Sequence, residues 1–363
     1  MKAWRFYGFG DMRLDDVPMP EIRARHVLAQ VLCVQPSVTE AQLAAGIRTL
    51  AFERIKKRLE TEAPVQLFGH EFCVRVLEVG EGVTRFRPGD RVAARAKLPC
   101  ENCHLCDSGR SYLCRRGPII GFQLPGCFSE YALLPEIALT LVDDRISDSE
   151  AACLQSLSDS VAAVETAEIR IGDSIVIFGQ GSMGLECLQV ARVSGAGRII
   201  TVDVRDEACA ISKELGADFV VHAGHEDCVA RIHELTGGNG ANIVFECAGG
   251  SPKQGLAGTR TLLQAVDSVR SGGKLVGVSW FGAPLELDID LLRERSIRYI
   301  FPDISTLDHL QHTVDLVASG RVRLKPTITH VLEGIESVPK AFEITANKSK
   351  YKAINPAQVK MCV

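Results

Sequence analysis

The stretch IVIFGQGSMGLECLQVAR, residues 175–192, restricts the possible folds more than any other part of the chain. An apolar strand leads into a glycine-rich turn, and an amphipathic helix follows. The stretch belongs to an alternation of helices with five apolar strands: DSIVIFG, RIITVDV, ADFVVHA, ANIVFECAG and GKLVGVSW. Strands that alternate with helices predict an α/β architecture with a parallel, doubly wound sheet.

The glycines of this turn, Gly179, Gly181 and Gly184, have the spacing G-x-G-x-x-G. The first glycine permits a tight turn, the second lets the backbone approach a pyrophosphate, and the third allows close helix packing. Asp203 ends the next strand, where a carboxylate binds the ribose 2′-hydroxyl and repels a 2′-phosphate. The pattern predicts NAD as cofactor, although the nearby Arg205 weakens the preference over NADP. A glycine turn without a ligand is the alternative.

Four of the 13 cysteines lie close together in CENCHLCDSGRSYLC, as Cys100, Cys103, Cys106 and Cys114. Four thiolates at this spacing can surround one Zn²⁺ tetrahedrally, which leaves no position for substrate, so such a zinc is structural. An iron–sulfur cluster or reduced cysteines without metal are the alternatives. The polar, charged surroundings favour zinc.

Composition narrows the class of protein and its partners. The 363 residues, 46% of them hydrophobic, suit two domains. A net charge of −4 favours neither nucleic acid nor an anionic membrane surface as partner. No secretion signal or membrane-spanning stretch is evident, and the odd cysteine count argues against a disulfide framework. We expect a cytoplasmic protein that acts on small molecules.

Short β-like runs fill the first part of the chain: HVLAQVLCV, FCVRVLEVG and EGVTRFRPGDRVAAR. They predict a compact, mostly antiparallel domain. The stretch SDSEAACLQSLSDSVAAVETA predicts a helix in which Ser147 and Glu150 form a capping box. The tail after about residue 300, with THVLEG and a helix around SVPKAFEITANK, is expected to pack on the first domain.

Together these parts resemble the zinc-type medium-chain dehydrogenases, the alcohol and polyol dehydrogenase group. The matching stretches are FGHEFCVRVLEVGEGVTRFRPGDRV, the four-cysteine stretch, GCFSEY at 126–131, GQGSMG at 179–184, and Asp203. The resemblance implies a GroES-like catalytic domain over residues 1–155, a Rossmann domain over 156–300, and a C-terminal segment over 301–363 that completes the catalytic domain. It also implies a homodimer or homotetramer.

A departure from the family concerns its catalytic zinc. In such enzymes the metal is held by a cysteine on an early loop, the histidine of a GHE motif, and a cysteine or glutamate before the Rossmann domain. His70 and Glu71 match the GHE motif, but counting from the motifs places Ser37 and Gln155 at the other two positions. Neutral serine and glutamine oxygens are poor zinc ligands. We therefore expect a catalytic zinc to be absent or weakly bound.

Neighbouring donors offer little replacement for the two missing ligands. Cys33 and Cys153 are displaced from Ser37 and Gln155 along a strand and a helix, which moves a donor by several ångströms. Asp159, one helical turn after Gln155, is the better-placed candidate.

The proton relay of the family is also altered. The resemblance places Thr39 where a hydroxyl binds the substrate oxygen, Glu40 at the usual aspartate, and Gln42 at a common relay histidine. A glutamine carries no proton at neutral pH. Without zinc, Ser37 and Thr39 would hydrogen-bond the substrate oxygen, and His70, with the neighbouring glutamate behind it, would act as general acid or base. Alternatively, His70 only packs, as the remnant of a metal site.

An insertion, AAGIRTLAFERIKKRLETEAP, separates the early loop from the GHE motif. Apolar residues at a spacing of four predict a helix, and the basic residues between them form a surface. The apolar residues are Ala51, Ile55 and Leu59, and the basic ones are Arg54, Lys56, Lys57 and Arg58. This surface is either a wall for an anionic substrate or a solvated helix or subunit contact.

The sequence thus predicts an NAD-dependent oxidoreductase that transfers a hydride between nicotinamide and a small-molecule alcohol or carbonyl group. Two alternatives remain open. One is a zinc-independent reductase of an activated C=C bond, which needs no metal at the carbonyl oxygen. The other is a non-catalytic protein that binds NAD(H).

Overall fold

The computed structural model describes residues 1–250, 258–282 and 284–361. The strands in these residues are β1 (Lys2–Gly8), β2 (Asp11–Asp16), β3 (His26–Gln35), β4 (Glu71–Val79), β5 (Arg91–Ala94), β6 (Tyr131–Pro135), β7 (Leu139–Leu141), β8 (Ser174–Phe178), β9 (Arg198–Asp203), β10 (Phe219–His222), β11 (Ala241–Glu246), β12 (Val269–Gly277), β13 (Arg298–Ile300), β14 (Val331–Glu333) and β15 (Gln358–Lys360). The helices are α1 (Val38–Ala44), α2 (Phe52–Glu62), α3 (His104–Asp107), α4 (Asp148–Ala151), α5 (Leu154–Ala167), α6 (Ser182–Val193), α7 (Asp206–Glu214), α8 (Cys228–Leu235), α9 (Thr259–Ser268), α10 (Ile289–Glu294), α11 (Leu307–Ala318), α12 (Val338–Ala346) and α13 (Lys348–Tyr351).

The chain forms two compact units. The first contains Met1–Ser158, Ile304–Ser319 and Ile328–Val363, and the second contains Asp159–Asp303 and Gly320–Thr327. Residues 320–327 therefore group with the second unit, whereas the sequence assigns the whole of 301–363 to one C-terminal segment.

The first unit is built around a sheet with the strand order β14-β15-β3-β4-β5-β7, and β6 also pairs with β3. Strands β3 and β4 run antiparallel from the pair Val27 and Val79 to the pair Gln35 and Glu71. Strand β15 pairs antiparallel with β3, so the C-terminal segment completes this sheet. The aromatic ring of Phe6 packs at the edge of a second ring in the core, Phe68, with 4.9 Å between centroids. This GroES-like, mostly β architecture confirms the predicted fold class.

Two predicted elements are shorter or more broken than expected. Within EGVTRFRPGDRVAAR, only β5 is a strand, because the residues before it form a turn in which the Arg87 N–H donates to Asp90 Oδ2 at 2.9 Å. The long helix predicted from residue 148 is divided into α4 and α5. Its predicted capping box is present: Ser147 Oγ accepts from the Glu150 N–H at 3.3 Å.

The second unit carries a parallel sheet with the strand order β10-β9-β8-β11-β12-β13. The chain winds outwards in one direction from β8 and in the other from β11, so the topological switch point lies between these two strands. Ligands of doubly wound folds bind at the carboxyl ends of the strands there. The five predicted strands are present, which confirms the Rossmann architecture. The edge strand β13 was not predicted, since three residues carry no periodic signal.

The helices of the described residues are short. Helix α5 has 14 residues, whereas a membrane span needs about 20 predominantly apolar ones. Within the described ranges, no helix has both the length and the apolar character to cross a membrane.

Candidate active site

Helix α1 begins after Ser37, the residue predicted to stand in place of a zinc-binding cysteine. Its N-cap is Ser37, whose Oγ accepts a hydrogen bond from the Glu40 N–H at 3.1 Å, while Glu40 Oε2 accepts one from the Ser37 N–H at 3.0 Å. This reciprocal capping box satisfies two helix donors. The Ser37 oxygen therefore serves the helix as an acceptor, and its hydroxyl hydrogen can still be donated.

The carboxylate of Glu40 is the direct partner of His70. Glu40 is fully buried, at 0% exposure, and its Oε1 accepts from the Gly69 N–H at 2.8 Å and lies 2.5 Å from His70 Nδ1. A carboxylate at this nitrogen holds the hydrogen on Nδ1 and leaves Nε2 as the acceptor of the ring. The S-x-x-E spacing from Ser37 to Glu40 is the sequence signal that points to this residue.

Glu71 is held from behind by a buried amide network. Its Oε1 lies 4.0 Å from His70 Nε2, and its Oε2 accepts from Gln35 Nε2 at 2.5 Å. Gln35 Oε1 in turn accepts from Asn355 Nδ2 at 3.0 Å and from Gln358 Nε2 at 2.8 Å. The C-terminal segment thus fixes Gln35, and Gln35 fixes Glu71. No sequence motif pointed to Gln35.

The two cysteines near the missing ligand positions lie in the same polar network. Cys153 Sγ accepts from Asn355 Nδ2 at 3.1 Å and from Gln358 Nε2 at 3.3 Å. Cys33 Sγ lies 3.7 Å from Gln358 Oε1, and burial raises the pKa of the Cys33 thiol to about 12. Cys33 is therefore a neutral thiol at physiological pH, held beside the buried amide of Gln358.

The other predicted catalytic residues lie on helices of the first unit. Thr39 is partly exposed in α1. Gln155 is 6% exposed in the first turn of α5, and its backbone oxygen accepts from Ser158 Oγ at 2.6 Å. Asp159, the predicted replacement donor, belongs to the second unit. The contacts described above join Ser37, Glu40, His70 and Glu71 into one cluster.

The donors at His70 do not fit a zinc site of the family's kind. Such a site needs three protein ligands drawn from thiolate, imidazole and carboxylate. His70 Nε2 and Glu71 Oε1, 4.0 Å apart, could supply two ligands, but Ser37 caps a helix, and among the described residues no third cysteine, histidine or carboxylate ligand atom completes a group with them. These side chains supply an oriented imidazole rather than a three-ligand metal cage.

The four-cysteine stretch does fit a metal. The Sγ atom of Cys106 lies 4.0 Å from that of Cys100 and 3.7 Å from that of Cys103, and the sulfurs of Cys103 and Cys114 are 3.9 Å apart. Four sulfurs about 2.3 Å from one zinc stand about 3.8 Å apart in a regular tetrahedron. Among the described residues, these four form the one group of at least three potential ligands whose ligand atoms lie within 4.8 Å of one another.

The backbone prepares one of these thiols for metal binding. Burial alone would raise the pKa of Cys114, but backbone hydrogen bonds from Cys100, Arg116 and Gly117 lower it to about 6. The Cys100 N–H lies 3.4 Å from Cys114 Sγ. These hydrogen bonds thus favour the thiolate form of Cys114, which is the form that binds zinc.

The three glycines after β8 have different surroundings. Gly179 has a φ of +85°, and a Cβ there would lie 2.7 Å from the backbone of Ala248. A Cβ at Gly184 would lie 1.8 Å from the Gly179 oxygen, whereas one at Gly181 would meet nothing within 4 Å. Packing thus requires the first and third glycines. The second leaves an open backbone at the start of α6, which fits a phosphate at a helix N-terminus.

Asp203 ends β9, as predicted, but its carboxylate is bound within the protein. Oδ2 accepts from the Gln180 N–H at 2.6 Å, and Oδ1 accepts from the Val204 N–H at 2.8 Å and the Arg205 N–H at 3.0 Å. Arg205 Nε lies 3.3 Å from Oδ1. Asp203 therefore shapes the glycine-rich loop, and Arg205 offsets part of the charge that would repel a 2′-phosphate.

Comparisons with known proteins match the chain along almost its whole length. The family model described as alcohol dehydrogenase GroES-like domain matches residues 23–144, and the one described as zinc-binding dehydrogenase matches 182–306. The L-threonine 3-dehydrogenase of Pyrococcus abyssi is 30% identical, over 95% of this chain and 94% of its own. The NAD-dependent alcohol dehydrogenase of Sulfurisphaera tokodaii is 29% identical, over 98% of both chains. The structure of a protein classed as a zinc-binding dehydrogenase from Sinorhizobium meliloti, bound to NADP, has a TM-score of 0.83 and 26% identity, over 99% of this chain and 98% of its own.

Proposed function

Because this chain belongs to the zinc-type medium-chain dehydrogenase family, we propose that it oxidises an alcohol or reduces a carbonyl group with NAD(H) and without a catalytic zinc. The observation that carries the proposal is the pair of Glu40 and His70, an imidazole oriented by a buried carboxylate at 2.5 Å. Such a pair can move the proton that accompanies hydride transfer.

The cofactor would lie on the turn after β8. The open backbone at Gly181 and the N-terminus of α6 would hold the pyrophosphate. Asp203 would reach the ribose, which favours NAD, although Arg205 reduces the discrimination against NADP. Bound nicotinamide supplies the hydride acceptor for alcohol oxidation and the hydride donor for the reverse reaction.

The chain's own residues manage the proton and the substrate oxygen. His70 Nε2 takes the hydroxyl proton of the alcohol as the hydride leaves the carbinol carbon, so the alcohol loses two electrons and becomes a carbonyl. Glu40 keeps the hydrogen on Nδ1 and stabilises the imidazolium that forms. The hydroxyls of Ser37 and Thr39 donate to the substrate oxygen, and Gln155 orients the substrate. Glu71 Oε1 lies 4.0 Å from His70 Nε2, on the side of the reacting nitrogen.

Reduction of an activated C=C bond is the second candidate. The side chains around His70 make a poor zinc site. This favours C=C reduction, because that reaction needs no metal at the carbonyl oxygen. Product analysis with NADH deuterated at C4 separates the two reactions, because deuterium enters the former carbonyl carbon in one and the β-carbon in the other. A protein that only binds NAD(H) would bind NADH tightly and turn over no alcohol, ketone or enone.

The direct test of the proposal is the variant His70→Asn. We expect kcat/KM to fall about 10²–10⁴-fold, the contribution usual for a general acid–base group, while NADH affinity stays unchanged. His26→Asn is the matched control, since His26 stands at the start of β3 and bonds the Ala24 backbone oxygen. An unchanged kcat/KM in His70→Asn would mean that His70 only packs, and it would contradict the proposal.

The predicted assembly, a homodimer or homotetramer, follows from the family resemblance. Native mass spectrometry of the purified protein tests it.

A further inference from the structure

A buried carboxylate stands at the carboxyl edge of the parallel sheet in the second unit. Glu246 is the last residue of β11, the strand that borders the topological switch point, and it is fully buried, at 0% exposure. Among the described residues, no lysine, arginine or histidine nitrogen lies within 4.0 Å of its carboxylate. Burying a carboxylate without a cation beside it is costly, which indicates a role beyond packing.

Every hydrogen-bonding partner of this carboxylate is a neutral donor. Glu246 Oε1 accepts from the N–H groups of Ala248 and Gly249, at 3.2 and 2.8 Å, and from Thr261 Oγ1 at 2.8 Å. The hydroxyl of Ser279 donates to Oε2. A carboxylate accepts such bonds with both oxygens, and bonds donated to it stabilise its ionised form. This set of donors therefore suits a negative charge inside the fold.

Glu246 also joins the two loops that follow β11 and β12. Its backbone oxygen accepts from the Ser279 N–H at 3.1 Å, and the Gly250 N–H donates to the Trp280 oxygen at 2.9 Å. The loops touch, since a Cβ at Gly249 would lie 2.2 Å from Ser279 Oγ. The position of the carboxylate is thus fixed relative to both loops.

The loop after β11 packs on the glycine-rich turn. The Cys247 N–H donates to the Phe178 oxygen at 2.8 Å, and a Cβ at Gly179 would lie 2.7 Å from the Ala248 backbone. A dinucleotide crosses the switch point of such a sheet with its pyrophosphate at this turn. With the adenosine ribose at Asp203 on β9, the nicotinamide half would extend the other way, over the carboxyl ends of β11 and β12.

The charge of the nicotinamide ring changes with hydride transfer, because the ring is cationic in NAD⁺ and neutral in NADH. A buried carboxylate attracts the cationic form and affects the neutral form little, and the attraction is stronger inside a protein than in water. The charge of Glu246 acts on its surroundings in the same way at Tyr299 on β13. Burial raises the pKa of this phenol, and the charge of Glu246 raises it further.

We propose that the buried charge of Glu246 favours NAD⁺ over NADH in the bound state. The inference rests on the proposed function, because it concerns the cofactor that the second unit would hold. Stabilising the oxidised form lowers the reduction potential of the bound pair. Bound NADH is then a stronger hydride donor than it would be without this charge.

The variant Glu246→Gln tests the charge with little change of shape. Its amide oxygen can accept the three bonds of Oε1, and its NH₂ group can donate to the hydroxyl of Ser279, which also accepts. Calorimetric titration of the full chain with NAD⁺ and with NADH measures the two affinities. We expect NAD⁺ to bind about tenfold more weakly and NADH to stay within about twofold, which raises the potential of the bound pair by about 30 mV.

ADP-ribose and the variant Thr261→Val provide the controls. ADP-ribose lacks the nicotinamide ring, so its affinity should be the same in the parent chain and in a folded Glu246→Gln protein. Thr261→Val loses one donor but keeps the charge, so it should leave the ratio of NAD⁺ to NADH affinity unchanged. Equal losses of both affinities in Glu246→Gln, no loss of either, or the same change of ratio in Thr261→Val would overturn the proposal.

Ser279→Lys gives a second test that keeps Glu246 in place. Ser279 is half-buried and bonded to the carboxylate, so a lysine there sets a cation beside it and offsets its charge. This variant should also weaken NAD⁺ binding relative to NADH binding, and an unchanged ratio would overturn the proposal even where Glu246→Gln does not fold.

Turnover separates this inference from the proposed function. A shifted ratio of affinities in Glu246→Gln, in a protein whose parent chain turns over no alcohol or ketone, would support the role of Glu246 and count against the proposed function. Turnover by the parent chain with an unchanged ratio in the variant would do the reverse.

Discussion

Two neighbouring glutamates have different tasks around one histidine. The adjacency of His70 and Glu71 in the sequence suggested that Glu71 stands behind the imidazole, but the atom nearest to it is Glu40 Oε1, at 2.5 Å from Nδ1, while Glu71 Oε1 is 4.0 Å from Nε2. The capping box at the start of α1 holds the buried Glu40 side chain, whose Oε1 also accepts from the Gly69 N–H, directly before His70. The residue that orients His70 therefore comes from helix α1.

Gln35 is the residue on which the position of Glu71 depends. The variant Gln35→Leu keeps the size of the side chain but removes the donor to Glu71 and the acceptor for Asn355 and Gln358. A buried polar group left without its partner costs about 1–3 kcal/mol, so we expect the free energy of unfolding of the first unit to fall by that amount. Urea unfolding followed by the fluorescence of Trp4 measures it, in a Trp280→Phe background that leaves Trp4 as the one tryptophan of the chain.

Gln30→Leu provides the control for this change. Gln30 lies on the same strand, β3, and is half-buried outside the amide network. The role assigned to Gln35 would be wrong if both variants unfolded at the same urea concentration as the parent chain.

Among the elements, the glycine-rich turn was predictable in detail and the amide network was not. The turn obeys local rules, since the spacing of its glycines follows from contacts within a few residues, such as Gly184 against the Gly179 oxygen. The network joins Gln35 to Asn355 and Gln358, more than 300 residues away in the chain. No pattern in a single sequence predicts such a pairing, because glutamine and asparagine occur in many unrelated positions.

The glycine-rich turn allows a matched comparison of two alanine variants. Gly184→Ala places a Cβ 1.8 Å from a backbone oxygen, and overpacking of this kind costs about 1–3 kcal/mol of stability. Gly181→Ala has open space and a φ of −81°, which alanine adopts without strain, so its stability should stay within about 0.5 kcal/mol of the parent's.

Cofactor affinity should separate these variants in a second way. We expect Gly181→Ala to bind NADH at least about tenfold more weakly, because its methyl group stands where the pyrophosphate approaches the backbone. Calorimetric titration of both variants with NADH provides the measurement. Unchanged NADH affinity in a stable Gly181→Ala protein would place the cofactor elsewhere.

Across the two units, the fold was predicted better than the chemistry. The alternation of strands and helices and the family motifs led directly to the GroES-like and Rossmann architectures, because backbone patterns repeat along the chain. The reacting groups depend on single positions, and the proposed exchange of Ser37 and Gln155 for the usual zinc ligands would change the chemistry without changing the fold. The sequence indicated that exchange, and the structure added the Glu40 partner that makes His70 an oriented acid–base group.

The zinc content of the active protein tests most directly whether this chemistry proceeds without a catalytic metal. It is measured by mass spectrometry on protein purified without chelators, alongside the double variant Cys100→Ser and Cys103→Ser. We predict about one zinc per chain in the parent protein, held by four thiolates, and none in the variant. About two zinc ions in the parent, with one retained in the variant, would show that His70 and its neighbours hold a metal after all and would contradict a zinc-free mechanism.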